Sequence, residues 1–208
     1  MTELRDRLRK LPAFPADLPV LDPDSVPEDP ETLFRDWLEE AIASGERQPH
    51  AMTFTTVDGA GFPVGRTLIL KDIEDGGYQV STHRNSRKGA QLEQDAKASM
   101  IFFWRESGRQ VRITGTVIAL DDEASQADWA SRPSFTGAPN PDWQVYALVP
   151  SAFEFMQARE DRQHTRIEYT AQGQAQGQGQ GQADPDATAP SSAAARTWTH
   201  GPVPTPAG

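Results

Sequence analysis

From residue 51 to residue 119 the chain runs in short stretches of alternating apolar and polar residues, broken by glycine- and aspartate-rich turns. AMTFTTVD, VGRTLILKDI, YQVSTH, ASMIFFWR and QVRITGTVIAL read as strands, because period-two alternation lines every second side chain on one face. DGAGFP and EDGG read as hairpin turns, where glycine supplies the backbone conformations that other residues avoid. A short loop at Glu106 to Gly108 separates the last two strands of this series. Turns this tight join antiparallel neighbours, and the regular strand–helix alternation of a parallel sheet is absent. VYALVPSAFEFMQ and HTRIEY continue the pattern, and RTWTH is a possible last strand. The fold class predicted is α+β: an antiparallel, barrel-like sheet of about six to eight strands with two or three helices.

The helices carry their own signals. In DPETLFRDWLEEAIASG, Asp29 can cap, Pro30 suits the first helical position, and Leu33, Trp37, Leu38, Ala41 and Ile42 form one apolar stripe. Gly45 supplies the stop. SRKGAQLEQD and DDEASQADWAS are two further helices, the second ending before Pro133. Residues 1–28 are expected to be a mobile arm, since prolines at 12, 15, 19, 23 and 27 exclude a long helix. Residues 29–170 form the expected domain, 171–195 a low-complexity Gln/Gly/Ala insert, and 196–208 the possible last strand and tail.

A net charge of −10 disfavours nucleic acid and anionic membrane surfaces as partners. The charge is uneven: residues 62–116 hold nine basic and six acidic side chains, a local surplus of three cations that suits a small anion such as a phosphate ester. No cysteine is present, which excludes thiol catalysis and thiolate metal sites. The histidines show no ligand spacing, so no metal site is expected. No apolar run is long enough to span a membrane and the first residues do not resemble a secretory signal, so a cytoplasmic protein is the expectation.

Four basic segments stand out. Ser86 is placed to cap a helix whose first turn holds Arg87 and Lys88, so free N–H groups, the positive end of the helix dipole and two cations converge. A solvated charged turn is the bland alternative. In RTLILK, Arg66 shares a face with Leu68 and Leu70, a costly placement unless an anion lies opposite or the strand is an edge in water. Gln110 offers both a donor and an acceptor to a flat heterocycle, although an ordinary polar strand residue would look the same. Arg162, His164 and Arg166 recur with period two, which predicts that all three face one side of a strand toward something negative.

Taken in order, DPETLFRDWLEEA, MTFTTVDGAGFPVGRTLILK, STHRNSRKGAQLEQD, SMIFFWRESGRQVRITGTV, SRP and FEFMQ…RQHTRIEY resemble the pyridoxamine 5′-phosphate oxidase family over about residues 29–169. That resemblance implies an FMN-binding split β-barrel that forms a homodimer, with FMN at the interface and a small phosphorylated substrate. Pyridoxamine or pyridoxine 5′-phosphate would be oxidised to pyridoxal 5′-phosphate, with O2 reoxidising the flavin to give H2O2. Carried over by position, it implies that Arg66, Thr67, Leu68, Ile69, Leu70 and Lys71 line FMN, joined by Ser81, Thr82, Arg87, Lys88, Gln110 and Arg166. Lys71, Arg132 and Thr136 would take the substrate phosphate, and Arg162 and His164 would hold the substrate over the flavin as the catalytic pair.

The chain also departs from the family. Asp128 stands where a phosphate-binding Tyr is expected, and Met156 replaces a Trp at the flavin. The stretch after Arg132 is cut to about twenty residues, and the ending GPVPTPAG is unlike the family's Arg-Leu-x-Pro. Two alternatives therefore stay open: an FMN oxidoreductase of the same fold acting on another small metabolite, and a non-catalytic flavin-binding protein.

Overall fold

The computed structural model describes residues 3–12, 14, 15, 17–172 and 196–203. Helix α1 (Glu3–Arg9) is followed by a 3-10 turn at Pro23–Ser25 and helix α2 (Pro30–Ala43). Strands β1 (Ala51–Val57), β2 (Pro63–Ile69), β3 (Asp72–Glu74) and β4 (Gly77–His83) lead into α3 (Arg87–Gln94). Strands β5 (Lys97–Trp104) and β6 (Arg109–Ala119) precede α4 (Asp122–Ser131), and β7 (Trp143–Gln157), β8 (Thr165–Ala171) and β9 (Trp198–Pro202) complete the order. The low-complexity stretch lies, apart from its first two residues, outside the described residues.

The nine strands among the described residues join one antiparallel sheet, with β2-β1-β5-β6-β7-β4-β3 as its main path. The two ends of that path, β2 and β3, are neighbours in sequence. The run read as one strand, VGRTLILKDI, is therefore two: Leu70 N–H still donates to His50 O at 2.8 Å, while Lys71 N–H donates to Gln79 O at 2.9 Å on the opposite border. Two residues thus hand the chain from one end of the sheet to the other and bend it into a barrel. The split comes from β7. Its first half pairs with β4, from Trp143↔His83 to Leu148↔Tyr78, and its second half pairs with β8, from Ala152↔Thr170 to Gln157↔Thr165. A register shift between Thr114 and Gly115 eases β6 past this division, and a side chain at Gly115 would meet Val149 O at 2.0 Å.

The inner face is apolar because alternation sends Phe54, Met100, Phe102, Val111, Ile113, Phe153, Phe155 and Ile167 the same way. Onto it packs the predicted stripe of α2, with the Phe34 ring 5.2 Å from Tyr78 and 5.0 Å from Phe102, and Trp37 5.3 Å from Phe155. Burying each such ring contributes about 2–3 kcal/mol. Asp29 caps α2, its carboxylate accepting from Glu31 N–H, as the sequence indicates. Ile42, read as part of the stripe, is instead 51 % exposed at its end. No helix among the described residues is long and apolar enough to cross a membrane.

The N-terminal stretch expected to be a mobile arm makes specific contacts at its far end. Leu21 and Val26 pack against the core, and Tyr169 donates its hydroxyl to Pro27 O at 2.7 Å. Desolvation, with Asp29 nearby, pushes the Tyr169 phenol up to about 12. A phenol raised in the fold adds stability that is whole below the unfolded value near 10 and is lost as pH climbs toward the folded value. Tyr169→Phe is expected to flatten the alkaline arm of a melting-temperature profile between about pH 10 and 12. A variant losing stability there as steeply as wild type would contradict this.

Candidate functional site

The basic residues read from β2 and α3 converge. Ser86 caps α3, its hydroxyl accepting from Gly89 N–H at 3.2 Å, which sets Arg87 and Lys88 in the first turn. Gly89 is required there, because a Cβ would meet Arg84 O at 2.0 Å. Arg66, on the inner face of β2, reaches across to the same place. Its guanidinium donates to Phe54 O at 3.1 Å, Thr56 Oγ1 at 2.7 Å and Gln91 Oε1 at 2.9 Å. Together with Val64, Gly65 and Asp58 these residues line a hollow of about 530 Å³. Asp58 is engaged elsewhere, accepting from Ala60 and Phe62 N–H in the hairpin turn.

No carboxylate pairs with Arg66, Arg87 or Lys88 among the described residues. Partial burial pulls the Arg66 guanidinium below its usual value. Burial first, and then the neighbouring Arg66 charge, pull Lys88 down as well. Three cations against the single carboxylate of Asp58, none of them in an ion pair among the described residues, at a helix N-terminus, fit a phosphate group. On β4, which leads into this helix, Thr82 is buried and the buried Ser81 hydroxyl has no partner. Such an orphan is the polar group a bound ligand would satisfy. The residues present therefore fit a phosphate-bearing group such as FMN. Gln91 was not picked out from sequence; its position one turn after Arg87 on the same helix face was the available signal.

Arg162 and His164 lie apart from this hollow. The period-two reading placed them with Arg166 on one strand face, but β8 begins only at Thr165 and carries Arg166 alone. Arg162 sits in a turn at φ 63°. Asp161 makes the difference: its carboxylate accepts from Gln163 N–H at 2.9 Å and pairs with Arg159 at 2.8 Å, a local turn that competes with extension of the strand. His164 Nδ1 accepts from Arg159 N–H at 3.1 Å, leaving Nε2 as the protonated ring nitrogen. Both side chains, with Phe14, Pro15 and Leu18, line a second hollow of about 430 Å³.

A third group gathers around Trp143. Lys71 Nζ is 3.3 Å from Asp128 Oδ1, and Trp143 Nε1 donates to Asp128 Oδ2 at 2.7 Å. The Arg132 guanidinium lies over the rings of Trp143 and Trp129, at 4.4 and 4.8 Å from their centroids. Thr136 is exposed in the following loop and does not join the cluster. Neither tryptophan was anticipated as part of a site. Trp129 had the i, i+3 spacing to Arg132 as a signal, but Trp143 had none.

Gln110 and Arg166 occupy the outward face, joined through the register Gln110↔Met156↔Arg166. Thr67 and Ile69 share that face across β1 and β5, along with Phe103, which is 41 % exposed. Leu68 is half-buried toward the core and Leu70 is buried. In one chain the expected residues thus form three clusters and an open face, and the hollows at α3 and at His164 share no lining residue.

Comparison with known proteins identifies the family. Residues 38–157 match the family described as pyridoxamine 5′-phosphate oxidase, and residues 143–188 match the pyridoxine 5′-phosphate oxidase C-terminal dimerisation region. The pyridoxine/pyridoxamine 5′-phosphate oxidase of Cupriavidus taiwanensis is 35% identical, the alignment covering 83% of this chain and 94% of the relative. That of Thermosynechococcus vestitus is also 35% identical, over 70% of this chain and 85% of the relative. Among solved structures, PhzG from Burkholderia lata 383, in complex with tetrahydrophenazine-1-carboxylic acid, has the same fold with a TM-score of 0.73 at 24% identity, covering 90% of this chain and 99% of PhzG. A related FMN-binding protein from Nostoc punctiforme follows at 0.63 and 16%, covering 83% of this chain and 97% of its own. An antiparallel split barrel, a net-positive cluster at a helix N-terminus and relatives sharing a third of their residues lead to one conclusion: the chain belongs to the pyridoxamine 5′-phosphate oxidase family of FMN-dependent oxidoreductases.

Proposed function

We propose that the protein is an FMN-dependent oxidase of the pyridoxamine/pyridoxine 5′-phosphate type. The net-positive cluster of Arg66, Arg87 and Lys88, in a chain of net charge −10, is the observation that carries this reading. These three residues receive the FMN phosphate, Ser81 and Thr82 add hydroxyl contacts, and the Arg66–Lys71 segment runs along the cofactor. Gln110 and Arg166 address it from the outward face. FMN, when bound, would supply the two-electron acceptor that takes the substrate CH2–OH carbon to an aldehyde, or the CH2–NH2 carbon to an imine that water hydrolyses to the aldehyde with release of ammonia, and O2 would take the electrons on to H2O2.

The chain's own residues bind and orient. Arg162 and His164 hold the substrate, with the Nε2–H of His164 as a donor whose tautomer is set by the Arg159 N–H. Lys71 and Arg132 stand at the far end of the substrate, without Thr136, which is exposed in the loop after α4. A second copy of the chain covers the outward face and completes a site whose clusters lie apart in one subunit. The match of residues 143–188 to a dimerisation region supports that assembly.

The test is steady-state H2O2 production by the purified yellow protein with pyridoxamine 5′-phosphate. His164→Ala is expected to lower kcat/KM by about 10–100-fold while retaining its flavin. Absence of flavin reduction by pyridoxamine 5′-phosphate under anaerobic conditions would remove the vitamin B6 substrate. It would leave the second reading, an oxidoreductase of this fold acting on another small metabolite. That reading is favoured by one observation, the Lys71–Asp128 ion pair at the expected phosphate end.

A further inference from the structure

Lys71 and Arg132 are the two cations at the substrate end, and the structure treats them differently. Lys71 stands at the hand-over between β2 and β3, with its ammonium 3.3 Å from Asp128 Oδ1. The other carboxylate oxygen of Asp128 accepts from Trp143 Nε1 at 2.7 Å, and the side chain is only 16 % exposed. Both oxygens are thus engaged, and the carboxylate is held in place from β7. Trp143 is in turn fixed by its register with His83, whose ring stands edge-on to it at 5.1 Å. Arg132 has no carboxylate partner among the described residues; its flat guanidinium is held over Trp143 and Trp129.

The charge count follows directly. Two cations and one carboxylate leave this end of the site with a single net positive charge. A phosphate dianion would need Lys71 to leave Asp128, and would then lie beside a half-desolvated carboxylate that had lost its counter-ion. A monoanion can take the edge of Arg132 with the Lys71–Asp128 pair intact. We propose that Asp128 is a specificity-determining residue: by holding Lys71 it sets the substrate end to accept a singly charged anion, such as a carboxylate, in preference to a phosphate-ester dianion. This rests on the flavin-site reading above and deepens its second substrate class.

The experiment uses FMN-loaded protein, with flavin content read first from absorbance. Wild type is titrated with benzoate and with phenyl phosphate at about pH 8, where the phosphate ester is a dianion, and binding is read from the perturbation of the flavin spectrum. Wild type is expected to bind benzoate at least as tightly as phenyl phosphate. Asp128→Asn keeps an oxygen for the Trp143 bond and removes the charge, so phenyl phosphate should tighten about tenfold or more while benzoate changes much less. Lys71→Met added to Asp128→Asn should take that gain away. A purely structural role for Asp128 would shift the melting temperature or both ligands together, without altering their ratio. Tighter binding of phenyl phosphate than benzoate by wild type, or an unchanged ratio in Asp128→Asn, would overturn the inference alone. Protein that takes up no FMN, or a flavin that neither probe perturbs in either protein, would overturn the flavin-site reading and the inference with it.

Discussion

Replacing both Arg87 and Lys88 with alanine is expected to release the flavin. Each charge-assisted contact to a phosphate is worth about 1.5–3 kcal/mol, so losing two weakens binding by roughly two to four orders of magnitude. The fold should survive, because neither side chain pairs with a carboxylate and the apolar face of α3 is anchored by Leu92. Removing Lys88, which the Arg66 charge opposes, should even relieve some repulsion in the flavin-free protein. Flavin content after gel filtration, with calorimetric titration of FMN into the stripped protein, measures the effect. A double variant that keeps stoichiometric FMN would refute the assignment of the phosphate to this hollow.

Gly89→Ala is expected to cost both stability and cofactor. The added methyl would meet Arg84 O at 2.0 Å and His83 O at 3.0 Å, and both are backbone atoms that cannot rotate away. Helix α3 would have to lift from the end of β4, moving Ser86, Arg87 and Lys88 away from Arg66. Overpacking of this kind costs about 3 kcal/mol, or roughly 6–12 °C in melting temperature for a domain of this size. Gly115→Ala is the control, since its methyl would meet Val149 O at the same 2.0 Å but in the β6–β7 bulge, not at the cradle. Both variants should melt early, while only Gly89→Ala should lose FMN affinity at temperatures where it remains folded. Equal FMN affinity in the two folded variants would show that the placement of α3 does not control the phosphate site.

The elements themselves were readable because their signals are local. Period-two alternation marked most of the strands, although β2 and β3 read as a single run and β9 only as a possible strand. Asp29 with Pro30 and Ser86 with Arg87 marked two helix starts to the residue. The cationic hollow at α3 was half-visible for the same reason: two of its cations are neighbours in one helix turn, and Arg66 betrayed itself as a charge on an apolar strand face. Where local rules competed, the reading failed. Arg162, His164 and Arg166 looked like one strand face, but the Asp161 turn intervened, and a side-chain oxygen took a backbone N–H that strand pairing would have used.

By itself the sequence determined the antiparallel α+β class, the capped helices, the apolar inner face and the cationic turn at Ser86–Lys88. Those follow from alternation, capping and charge within a few consecutive residues. Only the tertiary structure decided that β7 serves β4 with one half and β8 with the other, that Leu70 and Lys71 carry the chain across the barrel, and that Asp128 meets Lys71 rather than solvent. Each of these joins residues far apart in the chain. Backbone hydrogen bonds at a sheet border and an ion pair anchored by a tryptophan exist only once the core has closed and brought those residues into contact.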